Sequence, residues 1–319
     1  MNHLLISVLA VVLSACSNSS NEGPLDVVSF KDAPGPLKVG QRTNVVISDA
    51  ARSRDVTATF WYPANGEKHD LTSPEEGAEL ISGNAQFPLV VLVHGIEDNA
   101  PATWPYLAPH LASHGYVVAA PSTGSTLAST EDLVNHPADV SFLIDAVLGE
   151  NSTEDMFLNR IDKNKLAVGG FSFGGAATYL LAYDPLYRDT RIDAVILMAA
   201  LGSESAPVNP AISLLTLYGT EDILIPYDSG LAIYEAANQP KYLVTLEGGG
   251  HVGFTSSNDV NIGASMEQER QQTLVRLSVF AYLTSVFDKE ERNRVAAQNF
   301  LKNGLAETNT DVLVYAENE

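Results

Sequence analysis

Six short apolar runs, each separated from the next by a loop and, in most intervals, a helical pattern, constrain this chain more than any other feature. They lie at 88–94, 116–120, 165–170, 192–197, 213–218 and 242–246 and show almost no alternation of polar and apolar residues. Strands of that kind are buried on both faces, as in a parallel sheet covered by helices. Residues 102–114, 136–148, 173–183 and 228–237 carry helical patterns, and the first two run into Gly115 and Gly149, placed to close a helix. A long amphipathic segment at 266–287 and a charged helix at 288–302 follow. Alternating strands and helices predict a mostly parallel central sheet with helices on both faces. Sheets of this type bind ligands at the carboxyl ends of their strands. Ahead of them, 44–48 and 56–62 read as an antiparallel pair ended by Pro63, and 63–86 as a long polar loop.

With 319 residues, 45% of them hydrophobic, the chain can bury a full core. Its formal charge of -21, from 39 acidic against 18 basic residues, excludes a phosphate-neutralising nucleic-acid surface. The same imbalance argues against docking on anionic lipid through a basic patch. The one cysteine, Cys16, rules out an internal disulfide and a zinc site built on cysteines. His110 and His114 stand four apart on one predicted helix face, but no third ligand is near, so a packed or solvated helix face is the better reading. Neither a P-loop nor a dinucleotide fingerprint is present, and no cofactor is expected.

The chemistry-bearing pattern is Gly170-Phe171-Ser172-Phe173-Gly174, where an apolar run gives way to a helical one. This is the G-x-S-x-G nucleophile elbow, a turn so tight that bulky neighbours clash and the serine oxygen stands above the sheet. The helix start beside it favours a developing negative charge. The elbow implies a chain order of serine, acid, histidine. Asp222 follows the strand run at 213–218, with Glu221 as its rival, and His251 follows the run at 242–246 after three glycines. His94-Gly95-Ile96 ends the first run, and in this arrangement the loop there supplies one oxyanion-binding amide and the residue after the nucleophile the other. That assigns the N–H groups of Ile96 and Phe173.

These residues resemble the α/β-hydrolase superfamily, and more narrowly its dienelactone-hydrolase-like, platelet-activating-factor acetylhydrolase and cutinase-like esterases. Phe60-Trp61-Tyr62-Pro63, Leu92-Val93-His94-Gly95, the stretch 112–121 and His136-Pro137-Ala138-Asp139-Val140-Ser141 carry the likeness. Asp222 to Pro226 fits a D-x-x-x-P pattern of the cutinase-like members, which selects Asp222 over Glu221. The resemblance implies an α/β-hydrolase fold and a serine carboxylic-ester hydrolase working through an acyl-enzyme. Its substrates would be short-to-medium acyl esters or acetylated phospholipid-like esters, with no cofactor. Dienelactone hydrolases use a cysteine where Ser172 stands, and the aromatic clamp of polyester hydrolases is missing at Ile96 and at 198–200. The alternatives are a non-catalytic surface lipoprotein using the fold as a binding module, or a peptidase of the same fold.

At the amino end, residues 4–13 form an apolar run too short to cross a bilayer, and Leu13-Ser14-Ala15-Cys16 resembles the lipobox of bacterial lipoproteins. The expected organisation is a lipoprotein-type signal peptide at 1–15 and a tether at 16–40. The α/β-hydrolase domain would span 41–288, followed by a C-terminal helix and acidic tail at 289–319. Lipidation at Cys16 would hold an exported protein in the bacterial cell envelope, by outer membrane or periplasmic face.

Overall fold

A computed structural model describes residues 28–67, 73–96, 99–122, 130–149, 157–202, 212–256 and 263–317, with backbone alone for 130–134. The predicted signal peptide and Cys16 lie outside the described residues. Six strands run parallel at the centre: β4 (Phe87–Val93), β5 (Val117–Ser122), β6 (Ile161–Phe171), β7 (Ala194–Met198), β8 (Ser213–Gly219) and β9 (Lys241–Leu246). One edge is extended by an antiparallel hairpin, β1 (Lys38–Asp49) and β2 (Arg54–Ala64), and by the two-residue β3 (Glu75–Glu76). The other edge is closed by β10 (Val312–Glu317), antiparallel to β9. Among the described residues the ten strands form one sheet in the order β10-β9-β8-β7-β6-β4-β5-β2-β1-β3. The order reverses at β4, which lies between β6 and β5, and a crevice opens at the carboxyl ends of strands at such a switch.

Helices cover both faces, and the period-2 alternation of the strands feeds two cores. Val90 and Leu92 point to a layer made by α1 (Ala100–Thr103), α2 (Ala108–Ser113) and α6 (Gln268–Phe287). Leu89, Val91 and Val93 point to the opposite layer, made by α3 (Thr130–Val147), α4 (Ser172–Tyr183) and α5 (Tyr227–Ala236). No helix among the described residues is long and apolar enough to cross a membrane.

Several expectations shift. The helix expected at 102–114 is two short helices broken at Trp104, because Pro105 cannot sit inside a helix; Pro101 and Pro109 instead open α1 and α2. β2 continues through Pro63, which pairs with Val39; β5 reaches only Trp61, and the Pro63 carbonyl accepts the Ile81 N–H, so nothing there calls on the N–H that proline lacks. The boundary expected at 288 does not divide the structure. After α7 (Glu291–Asn299), a π-helical turn (Phe300–Gly304) and α8 (Leu305–Thr308), the expected acidic tail enters the sheet as β10, with Val312 buried in the core.

The expected tether is likewise docked from residue 28 onward. Val28 N–H donates to Asn293 Oδ1 at 3.3 Å, and Phe30 stacks on Phe300 with centroids 4.9 Å apart. The Arg276 guanidinium and the Thr273 hydroxyl both donate to the Asp32 carboxylate. Gly35 presses so closely on α2 that a Cβ there would lie 2.2 Å from the Ser113 carbonyl oxygen. His110 is enclosed beneath this strap, its ring 4.8 Å from His114 and edge-on to Phe280.

Burial lowers the His110 imidazole to about 3; repulsion from His114 and Arg276 adds to this, and Asp32 opposes it. A histidine lowered in the folded state stays neutral while the unfolded chain takes up a proton, so stability falls as pH drops below the unfolded value near 6.5. The urea midpoint should therefore fall between pH 7 and pH 5, with at most ~2 kcal/mol of the loss due to His110. His110→Gln should show a smaller pH difference, and equal slopes for the two proteins would refute this assignment.

Candidate active site

Ser172 begins α4 directly after β6, at a φ of 53°. A non-glycine residue there is strained by roughly 1–2 kcal/mol, so the surroundings must hold it. Two bare glycines do so. A Cβ on Gly170 would sit 2.3 Å from the Gly174 carbonyl oxygen, and one on Gly174 would sit 2.2 Å from the His94 carbonyl oxygen. The first turn of α4 is thus packed backbone to backbone on the end of β4.

His251 and Asp222 come from the neighbouring strand ends. The chain leaves β9 through Gly248, at a φ of 78°, and Gly249, which lies against Gly219 at the end of β8 with no space for a side chain between them. His251 Nδ1 is 2.7 Å from Asp222 Oδ2, and His251 Nε2 is 3.0 Å from Ser172 Oγ. The second Asp222 oxygen accepts the N–H groups of Leu224 and Ile225, each at 2.8 Å. An ionised carboxylate only accepts, so Nδ1 carries the proton and Nε2 presents its lone pair to the serine hydroxyl. The Asp222 side chain is fully buried. Glu221, the rival acid, turns away and accepts the N–H of Ser265.

The profile of the Alpha/beta hydrolase family matches residues 90–272, more than half of the chain. The protein belongs to the Alpha/beta hydrolase family. No curated protein matches it in sequence. Among solved structures it is similar to a ferulic acid esterase from Streptomyces cinnamoneus, with a TM-score of 0.65 and 20% identity over 81% of this chain and 93% of that one. A likeness at that identity concerns the fold.

In this family member the remaining predicted site residues flank Ser172. Gly95, next to Ile96, is so near that a Cβ on it would lie 3.4 Å from Ser172 Cβ. Phe173 follows Ser172 in the first turn of α4, half-buried, with His136 edge-on to its ring at 5.3 Å. The Phe171 ring packs on the His251 ring, with centroids 4.7 Å apart. Among the described residues no three His, Cys, Asp or Glu side chains gather as metal ligands.

The sequence reading missed three glutamines of α6 that grip the histidine loop. Gln271, fully buried, donates to the Gly250 carbonyl at 2.8 Å and accepts the Gly250 N–H at 3.0 Å. Gln268 and Gln272 both donate to the Thr255 carbonyl, at 2.8 and 2.6 Å. Their spacing of i, i+3 and i+4 puts them on one helix face, a signal available in the sequence but indistinguishable there from an exposed polar face. Gly253 is bare because a Cβ would lie 2.0 Å from Gln271 Oε1. Gln271→Leu strands a buried donor and a buried acceptor, so it should cost on the order of 1–3 kcal/mol, read as a lower urea midpoint. An unchanged midpoint would show that the loop keeps its shape without the clamp.

Proposed function

We propose that this protein is a serine carboxylic-ester hydrolase that works through an acyl-enzyme. The observation that carries the reading is the continuous hydrogen-bonded path from Ser172 Oγ through the His251 ring to the Asp222 carboxylate. As Ser172 Oγ attacks the ester carbonyl carbon, His251 Nε2 takes its proton. Asp222 fixes the imidazole tautomer and stabilises the imidazolium. The carbonyl oxygen, now negative, is received by the N–H groups of Ile96 and Phe173, each worth roughly 2.7–4 kcal/mol by analogy with measured oxyanion donors. Collapse breaks the bond to the alcohol, which leaves with the proton from His251 Nε2. Water then loses a proton to the same nitrogen and attacks the acyl carbon, and Ser172 recovers its proton.

Short-to-medium acyl esters or acetylated phospholipid-like esters are the substrate class. A fold neighbour that is a ferulic acid esterase is in keeping with ester chemistry. The wild type should hydrolyse p-nitrophenyl butyrate and label with a fluorophosphonate probe, while Ser172→Ala should lose at least a thousandfold in kcat/KM and all labelling. Equal rates, or no labelling of the wild type, would overturn the reading, and the second result would favour a binding module.

We also propose that Cys16 is lipidated and holds the chain in a bacterial envelope. The apolar run at 4–13 and the lipobox-like Leu13-Ser14-Ala15-Cys16 support this. Cys16→Ala should move the protein from the membrane fraction to the soluble fraction; retention in the membrane would refute the anchor.

A further inference from the structure

The residue ahead of the elbow serine still belongs to β6 and obeys its alternation. Phe171 has extended backbone, at φ -111° and ψ 135°, and shares a core layer with Ala167, while Leu166 and Val168 feed the opposite one. The layer of Phe171 is the one that α6 packs on, and α6 also grips the loop that carries His251. One side chain from the end of β6 therefore meets the histidine ring to ring.

The Phe171 and His251 centroids are 4.7 Å apart with the rings tilted by 43°. That lies inside the separation of about 6 Å at which a cation is drawn to an aromatic ring. The Phe171 ring also touches the loop after β4, for a Cβ on Gly95 would lie 3.0 Å from its Cδ1 and Cε1 atoms. Phe254 stands 6.1 Å away, and Phe171 is only 5% exposed. A ring so enclosed acts on the base rather than on a substrate.

The polar atoms of His251 are already taken, Nδ1 by Asp222 and Nε2 by Ser172. Asp222 is the ionised group in contact with the ring, and Glu221 accepts the Ser265 N–H. From α6 the loop is faced by Gln268, Gln271 and Gln272, all uncharged. Tyr106, ahead of α2, donates to the Phe254 carbonyl, His94 Nδ1 is 2.7 Å from the Gly95 carbonyl oxygen, and His136 of α3 is edge-on to Phe173. When His251 takes up the serine proton it becomes a cation in a buried place, and burial disfavours the charged form. The negative face of an aromatic ring offsets part of that cost, and does so only while the charge is there.

We propose that Phe171 is a positioning residue for the reaction, its ring stabilising the protonated form of His251 through a cation–π contact. For the reaction this rests on the esterase reading above; the contact with a protonated imidazole does not. The imidazole is neutral in the resting enzyme and charged in the transition state, so the contact speeds the chemistry without tightening the hold on substrate. A cation over an aromatic ring is favoured roughly threefold to thirtyfold, according to how far the pair is desolvated.

The test keeps the shape of the ring and changes its charge distribution. Phenylalanine, 4-fluoro-, 3,4-difluoro- and 3,4,5-trifluorophenylalanine are placed in turn at position 171 of the full chain, each fluorine draining the ring face. With p-nitrophenyl butyrate, kcat should fall stepwise by about threefold in all, with KM unchanged, and the acid limb of kcat/KM should move down by about half a pH unit. Phe171→Leu should move both in the same direction. NMR titration of the His251 ring in Ser172→Ala protein reads the contact without turnover, and its midpoint should fall along the same series. An acid limb and a midpoint that ignore the fluorines, at unchanged urea midpoints, overturn the proposal and leave Phe171 a packing residue, even if Ser172 is the nucleophile. A midpoint that falls along the series in a protein that hydrolyses no ester keeps the contact and overturns the esterase reading.

Discussion

The contact on which the site depends is between two stretches of backbone. Gly174 lays the first turn of α4 directly on the carbonyl groups of Val93 and His94, and no side chain can come between them. That approach sets Ser172 beside the loop that follows β4, and it clamps this residue in a conformation it would not hold alone. A second contact of the same kind, Gly219 against Gly249, brings the ends of β8 and β9 together and so seats the acid next to the histidine. The site is therefore built from the sheet outward. Strand neighbours supply the spacing, bare glycines let the loops converge, and side-chain hydrogen bonds complete the alignment.

The parts of this architecture that depend on local chemistry were legible in the sequence. Continuous apolar runs marked the six parallel strands within a few residues, because a strand buried on both faces has no polar side to confuse the pattern. Ser172, Asp222 and His251 each follow such a run in a fixed order, and the structure brings the three together. What the sequence concealed depends on partners far along the chain. Val312 to Glu317 reads as a polar, acidic end, and only the open edge of β9 makes it a strand. Residues 28–37 read as a linker, yet Asp32 is held by Arg276, 244 positions away. Gln271 looks like any polar residue on an amphipathic helix until the loop it grips is folded over it.

Two clusters of ion pairs are centred on α3. Arg52 and Arg54 converge on Asp139, and Arg191 joins Asp189 to Asp145, tying the β1–β2 hairpin and the α4–β7 connection to α3. At the end of β8 the Asp222 carboxylate is turned to His251, and Glu221 accepts the Ser265 N–H.

The docked strap fixes where the amino end of the domain lies. α6 begins at the glutamines that hold the His251 loop and ends at Asp288, beside the Asn293 that receives Val28. Twenty residues of helix put about 30 Å between these two points. Whatever is joined ahead of residue 28, whether a bead or a fused domain, therefore meets the domain about one α6 length from the loop that carries His251.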